Sequence, residues 1–525
     1  MVPWVARPNL FDRAPSHTEN TLKLRLGVPP GTTIGGRIGD DMTQQSVTRR
    51  GFLRTSAAGI PLLTAISLAA QKSTTGDDKR PSIILIVADD HGRGDLGCYG
   101  NSVVKTPNLD QLAAEGVRFT NAFCTTASCS ASRSVILSGL YNHYNGQYGH
   151  QHAYHHFISF DYVRSLPVLL GRGGYRTARI GKFHVAPDEV YKFDVQLPGN
   201  ERNGVQMANN CAKFIAAQDD RPFFLYFCTA DPHRGGGKAA DLPHQPDRFG
   251  NRDQGYPGVK EVTYKPEDVA VPDFLPDIPE CRAELAQYYQ AVSRIDQGIG
   301  RLIEHLKKAG KYDNTILIYI SDNGIAFPGA KTTVYEPGIN LPCIVRIPGQ
   351  KNTGIKCDAM VNWADLTPTI LDLAGAMPSE YEFHGRSFKS VLEREHVEDW
   401  DTIYASHTFH EITMYYPMRV VRERRFKLIW NVAHGLDYPF ASDLWESATW
   451  QGTLKRNSKL YGKRTVEAYL HRPKFELYDL EIDPHEVKNL ADDPQYKDKL
   501  EEMKTKLKAF QKRTKDPWIL KWDYE

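Results

Sequence analysis

The sequence predicts an α/β protein: a mainly parallel sheet flanked by helices, joined to a smaller C-terminal α+β domain. Three observations carry that expectation. Apolar runs of strand length recur without alternation, as strands buried on both faces require: Ser82–Ala88 (SIILIVA), Phe223–Cys228 (FFLYFC) and Asn314–Ile320 (NTILIYI). Segments of helical period separate them, the arrangement that builds parallel sheets. Beyond about residue 381 the pattern shifts to runs typical of antiparallel strands, Arg419–Trp430 (RVVRERRFKLIW) and Phe475–Leu480 (FELYDL).

After the first strand, Thr106-Pro107 opens a helix that Gly116 closes, with a capping residue, a proline in the first turn and a glycine at the end. Tyr175–Ile180 reads as a strand. Arg282–Leu306 is the longest helical stretch, with Leu285, Tyr289, Val292, Ile295 and Ile299 at helical spacing. Pro342–Ile347 reads as a strand, Asp365–Leu373 as a short helix ended by Gly375, and Tyr496–Phe510 as a terminal amphipathic helix. The segment 235–276 is rich in Gly, Pro and Asp, and a loop of that length is expected to form a lid or rim. Three regions follow: a leader over 1–79, a main domain over 80–380 and an antiparallel-sheet subdomain over 381–525.

A chain of 525 residues can bury large cores, and its net charge of +2 gives no bulk attraction to nucleic acid or a membrane surface. Eight scattered cysteines are no disulfide scaffold, and the lack of a CxxC pair argues against structural zinc. Thr48-Arg49-Arg50-Gly51-Phe52-Leu53 precedes an apolar run from Gly59 to Ala70, with small residues at Ser67 and Ala69. This reads as a twin-arginine export signal, too short to span roughly 30 Å of hydrocarbon. The expected location is periplasmic or extracellular, with the twin-arginine export machinery as a partner and folding complete before export. Met42 is a more natural start than Met1, because residues 1–41 sit oddly ahead of such a signal.

Asp89-Asp90 stands directly after SIILIVA, and Asp322-Asn323-Gly324 directly after NTILIYIS. Open α/β sheets build their sites at the carboxyl ends of parallel strands. Three carboxylates and an amide are hard oxygen donors, suited to calcium or magnesium rather than zinc. Either pair alone reads as a turn or cap. Two pairs after two strong strands point to a divalent cation acting as Lewis acid and template. Candidate cationic and histidine side chains follow: Arg133 on a helix, Lys182 and His184 in GKFH, His233 in DPHR and Lys331 after the second acidic pair. Each alone reads as a solvated side chain. Together they suit the stabilisation of negative charge that develops on oxygen.

Cys129-Ser130-Ala131-Ser132-Arg133, followed by Leu137-Ser138-Gly139, resembles the sulfatase signature, whose cysteine is oxidised after translation to formylglycine. Arg133 lies one helical turn after that cysteine. VADDHG, GYRTARIGKFH, ADPH, SDNG, the Lys331 loop and ELYDLEIDPHEVKNLADDP extend the likeness. From about Arg80 to the C-terminus the chain resembles the type I sulfatases of the alkaline-phosphatase-like superfamily. The resemblance implies an alkaline-phosphatase-like fold and sulfate hydrolysis. It implies one calcium ion held by Asp89, Asp90, Asp322, Asn323 and the formylglycine made from Cys129. It assigns sulfate binding and proton transfer to Arg133, Lys182, His184, His233 and Lys331. A formylglycine-generating maturation enzyme is then a partner, and seven cysteines remain, at least one of them unpaired within the chain.

A narrower likeness is to the heparan N-sulfatases (sulfamidases), carried by HHFISFDYVRSLPVLL, DDRPFFLYFCTADPHR, SDNGIAFPGAKTTVYEPG, FHEITMYYPMR and DPW. It implies exo action on the N-sulfate of a terminal glucosamine in a sulfated saccharide, with Asp231, His410 and Glu411 at the sugar, and leaves room for a homodimer. Two positions depart from it: Ala131 stands where sulfamidases have proline, and Lys331 where they have arginine. Lysine meets an anion as a point charge rather than a fork, which keeps O-sulfate cleavage open.

The implied reaction begins with one hydroxyl of the hydrated aldehyde attacking sulfur, while calcium and Lys182 stabilise the developing charge. His233 or Lys331 protonates the leaving amine or alcohol. His184 then removes a proton from the second hydroxyl, so that the carbonyl re-forms and sulfate leaves. Rival readings are a phosphodiesterase or phosphonate hydrolase of the same superfamily and a non-catalytic glycan binder with an unmodified Cys129.

Overall fold

The structure is a computed structural model that describes residues 80–523; the twin-arginine segment and residues 1–41 lie outside the described residues. Eight strands form the main sheet: β1 Ser82–Ala88, β2 Val117–Phe123, β3 Arg176–Gly181, β4 Val195–Leu197, β5 Phe223–Cys228, β6 Thr315–Ser321, β7 Cys343–Arg346 and β8 Ile355–Asn362. Their order is β4-β3-β5-β1-β6-β7-β2-β8. β1 runs parallel to both β5 and β6, and β3 parallel to β4 and β5. β2 runs parallel to β8, and only β7 is reversed against its neighbours. The sheet is thus mainly parallel, as the apolar runs predict.

Side chains alternate across a strand, and β1 shows why it carries no polar residue beyond Ser82. Ile83, Leu85 and Val87 enter one core, with Val135 and Ile136 of the helix Cys129–Ser138 and Leu366 and Ile370 of Leu366–Leu373. Ile84, Ile86 and Ala88 enter the other, with Leu109 of Pro107–Ala114, Met207 of Gly204–Ile215 and Ile295 of Pro279–Lys308. Helices therefore cover both faces. The longest begins three residues earlier than the periodicity suggests because Pro279 suits a first turn.

β2 and β8 are additions to the sequence-based reading. Both carry polar residues mid-strand, Arg118, Thr120 and Asn121 in β2 and Lys356 and Asp358 in β8; β8 is the edge strand and β2 lies next to it, between β7 and β8.

Past residue 381 the strands are β9 Thr402–His407, β10 Met418–Glu423, β11 Phe426–Asn431, the short pair β12 Leu460–Tyr461 and β13 Arg464–Thr465, and β14 Phe475–Asp479. Four of them make an antiparallel sheet, β14-β11-β10-β9. Ala405, Val420, Leu428 and Leu477 join the core that contains Ile83, together with Leu507 and Phe510 of the terminal helix Lys497–Arg513. All eight cysteines are free thiols. Among the described residues no helix is long and apolar enough to cross a membrane.

Candidate active site

Four adjacent parallel strands deliver the site from their carboxyl ends. β3 leads into Lys182 and His184, β5 into Asp231 and His233, β1 into Asp89 and Asp90, and β6 into Asp322 and Asn323. Cys129 is the first residue of the helix Cys129–Ser138, every residue of which is buried. The N-terminus of that helix favours an anion.

The groups interlock. Asp90, in a left-handed turn with φ 66°, donates its N–H to Asp322 Oδ1 at 3.1 Å. Asn323 donates its N–H to the same oxygen at 2.8 Å and its Nδ2 to Asp90 Oδ1 at 2.6 Å. Arg133 Nε meets Asp322 Oδ2 at 2.9 Å, and Lys182 Nζ meets Asp89 Oδ2 at 2.5 Å. Lys331 Nζ lies 3.0 Å from each of Asp90 Oδ2, His233 Nε2 and Asp443 Oδ2. Cys129 Sγ sits 3.7 Å from Asp90 Oδ1.

Buried polar atoms without partners call for an explanation. Asp89 Oδ1 and Asn323 Oδ1 are two of them, both in the proposed ligand set. Ligand atoms of Asp89, Cys129 and Asp322 lie within 4.8 Å of one another. Hard oxygen donors that converge with unpartnered lone pairs fit a calcium or magnesium ion.

Electrostatics follow from burial and charge. Burial would raise Asp89, but Lys182, His233 and Arg133 hold it well below the usual carboxylate range. Burial raises Asp322 to about 7 against the opposing pull of Arg133. Burial works against the Lys331 ammonium, yet Asp443 and Asp90 hold it well above the ordinary lysine value. Burial first, then Lys331, lowers His233; burial and Lys182 lower His184 well below the ordinary imidazole value. Burial pushes the Cys129 thiol well up, so it is a neutral S–H at neutral pH. His233 Nδ1 lies 2.6 Å from the carbonyl oxygen of Arg234, which can only accept. The ring proton is therefore on Nδ1, and Nε2 receives the Lys331 ammonium.

His184 sits among histidines. Its Nε2 is 2.5 Å from His152 Nδ1, and its ring stacks on His150. His150 in turn meets His410 Nε2 at 2.9 Å, and His410 Nδ1 meets Ser128 Oγ at 3.0 Å.

Asp231 is held by two arginines. Its Oδ1 accepts from Arg202 at 3.0 Å and its Oδ2 from Arg294 at 2.6 Å, and the residue is 1% exposed. Both carboxylate oxygens brace its loop in this way. His410 is buried and hydrogen-bonds to Ser128 and His150. Glu411 Oε1 accepts from the Ser442 N–H and hydroxyl, tying its segment to the helix Ser442–Trp445 that carries Asp443. Asp443, His150 and His152 escape the sequence-based reading; the one available signal is the i, i+2 pair in Gly149-His150-Gln151-His152.

This sheet and this nest of cations and carboxylates define a hydrolase that handles a small oxyanion. Residues 81–376 match the sulfatase family, and 329–446 match the family described as N-sulphoglucosamine sulphohydrolase, C-terminal. The chain belongs to the sulfatase family. It is 40% identical over 464 residues to human N-sulphoglucosamine sulphohydrolase, covering 84% of this chain and 92% of that protein. It is 31% identical over 434 residues to an ulvan-active sulfatase of Formosa agariphila, covering 81% and 79%. Among solved structures, it shares its fold with one in complex with its substrate D-glucosamine-2-N,6-O-disulfate, at TM-score 0.61, 24% identity and 84% and 99% coverage. It likewise shares its fold with the phosphonate monoester hydrolase of Agrobacterium radiobacter, at TM-score 0.59, 20% identity and 83% and 96% coverage.

Proposed function

We propose that this protein removes the N-sulfate from a terminal glucosamine of heparan- or heparin-type saccharides. In this reading Cys129 is converted to formylglycine by a maturation enzyme, and Asp89, Asp90, Asp322 and Asn323 hold a calcium ion. The same reading has the chain exported through the twin-arginine segment at Thr48–Leu53. The observation that carries the chemistry is the buried Cys129 Sγ at a helix N-terminus, 3.7 Å from Asp90 Oδ1, in a network with Arg133, Lys182 and Lys331 and with Asp89 Oδ1 and Asn323 Oδ1, which have no hydrogen-bond partner. The human relative supports the N-sulfate.

Charge fits this reading. Four carboxyl groups, of Asp89, Asp90, Asp322 and Asp443, face the three cations Arg133, Lys182 and Lys331, and a bound divalent ion would keep all four ionised, Asp322 included. With the ion bound, two charges on the metal and three on the side chains against four carboxylates would leave a surplus of one, matched to a singly charged sulfamate. When present, the hydrated aldehyde supplies a hydroxyl nucleophile that is regenerated through its carbonyl, and the calcium ion supplies Lewis acidity. Lys182 and Arg133 bind sulfate oxygens as charge develops on them. Lys331 and His233 act as one unit: the ammonium bonded to Nε2 passes a proton to the leaving nitrogen. Neutral His184 accepts a proton on the other side of the site. A lysine at 331 also suits an O-sulfate, which is the second reading.

The test measures free sulfate from N-sulfoglucosamine and from 6-O-sulfated glucosamine, and free phosphate from an aryl phosphate. N-sulfoglucosamine should be hydrolysed fastest; faster release from the 6-O-sulfated sugar would favour the second reading. Cys129→Ala should stay folded and inactive, and Cys129→Ser should become sulfated once and stall. Steady turnover by the serine variant, or an intact thiol at 129 in active protein by peptide mass spectrometry, overturns the proposal.

A further inference from the structure

We infer that His150, His152 and His184 form a second metal site, for a borderline transition-metal dication such as zinc or cobalt(II), whose occupation switches turnover off. One ring nitrogen from each histidine lies within 4.8 Å of the other two. Zinc–nitrogen bonds of 2.0–2.1 Å put tetrahedral ligand atoms about 3.3 Å apart, so small side-chain rotations close the site. The His152 Nδ1 to His184 Nε2 distance of 2.5 Å is a hydrogen bond between the two rings, which an ion replaces once the nitrogens part by about 0.8 Å. The ring centroids of His150 lie 4.8 Å from His152 and 4.9 Å from His184.

The donor set separates this site from the carboxylate cluster. Three imidazoles select zinc, cobalt, nickel or copper, whereas calcium takes oxygen. His150 has the outer support that metal-bound imidazoles commonly show, a hydrogen bond to His410, itself held by Ser128 Oγ. His152 is exposed and His184 half-buried, so an ion can arrive from solvent and keep a fourth position for water. His184 Nδ1 is buried without a hydrogen-bond partner, while Nε2 bonds only to His152, itself a member of the trio. An ion on the ring would occupy the lone pair with which His184 is proposed to take a proton. The effect on turnover rests on that role, but the binding does not.

The experiment titrates cobalt(II) chloride into the full-length protein in the presence of excess calcium and records the visible spectrum alongside sulfate release. One equivalent should give an intense tetrahedral absorption, and zinc should bleach it. The rate should fall at least ten-fold over the same titration. His152→Ala, at an exposed position, should lose the band, and so should His150→Leu; in His152→Ala, half-inhibition relative to its own metal-free rate should need at least ten-fold more cobalt. No band, or a band that survives His152→Ala, overturns the site. A band with undiminished sulfate release overturns the switch. A histidine-dependent band in a protein that cleaves no sulfated sugar upholds the site and sinks the proposed function instead.

Discussion

Lys331 is gripped from three sides, and the acid that completes the grip, Asp443, lies 112 positions further along the chain. Burial would raise the Asp443 carboxyl, but Lys331 and His233 hold it at about 2, so it is an anion at any working pH. Asp443→Asn keeps the shape and removes the charge. Steady-state kinetics should show kcat about ten-fold lower with KM nearly unchanged, since the group supports a proton donor and touches no substrate; an unchanged kcat would sink that role. Asp443 has no sequence signature, because its importance exists only through a tertiary contact. The acid pairs, Lys182, His184 and His233 are legible for the opposite reason: each follows within a few residues of an unmistakable strand. Asp231 shares that address, but its pairing with Arg202 and Arg294 from other segments leaves no local signature.

At the scale of elements, the position of Lys182 depends on Gly181. This last residue of β3 has φ 80°, and a Cβ there would lie 1.9 Å from the carbonyl oxygen of Cys228 in β5. The next N–H, of Lys182, donates to that same oxygen at 2.9 Å. Gly181→Ala therefore strains the backbone and prises β3 from β5 where the lysine leaves the sheet. We expect a loss of about 2 kcal/mol or more in a thermal melt and a fall in turnover at least as large as ten-fold. The central strands were readable because they are apolar end to end. β2 and β8 were not: Arg118 covers the Tyr99 ring at 4.7 Å and Asp358 pairs with Arg424, so tertiary partners stabilise residues that argue locally against a strand.

Across the whole molecule, the C-terminal segment is fastened by Arg419 and Asp516, a fully buried pair with contacts of 2.6 and 3.0 Å. Trp518 lies under the Arg419 guanidinium at 4.7 Å, which accounts for the Asp516-Pro517-Trp518 stretch noticed in the sequence. Burial would raise Asp516, but Arg419 holds it well below the usual range, with His143 and Gln511 also facing it. A depressed carboxyl stabilises the fold fully above its unfolded value, near 3.9, and progressively less as pH falls through the folded value. Thermal stability should therefore drop below about pH 4. Asp516→Asn should cost about 3 kcal/mol at pH 7 and flatten that acid limb; an unaltered limb would rule the pair out as its source.

The depth at which the Cys129 sulfur lies imposes a deadline. It has no solvent-accessible surface, and the helix it begins is enclosed along its full length. On the proposed chemistry, oxidation must reach the nascent chain before that helix packs. Competence is then decided once, in a race between collapse and modification, and a polypeptide that wins the first and loses the second is well folded and permanently inert.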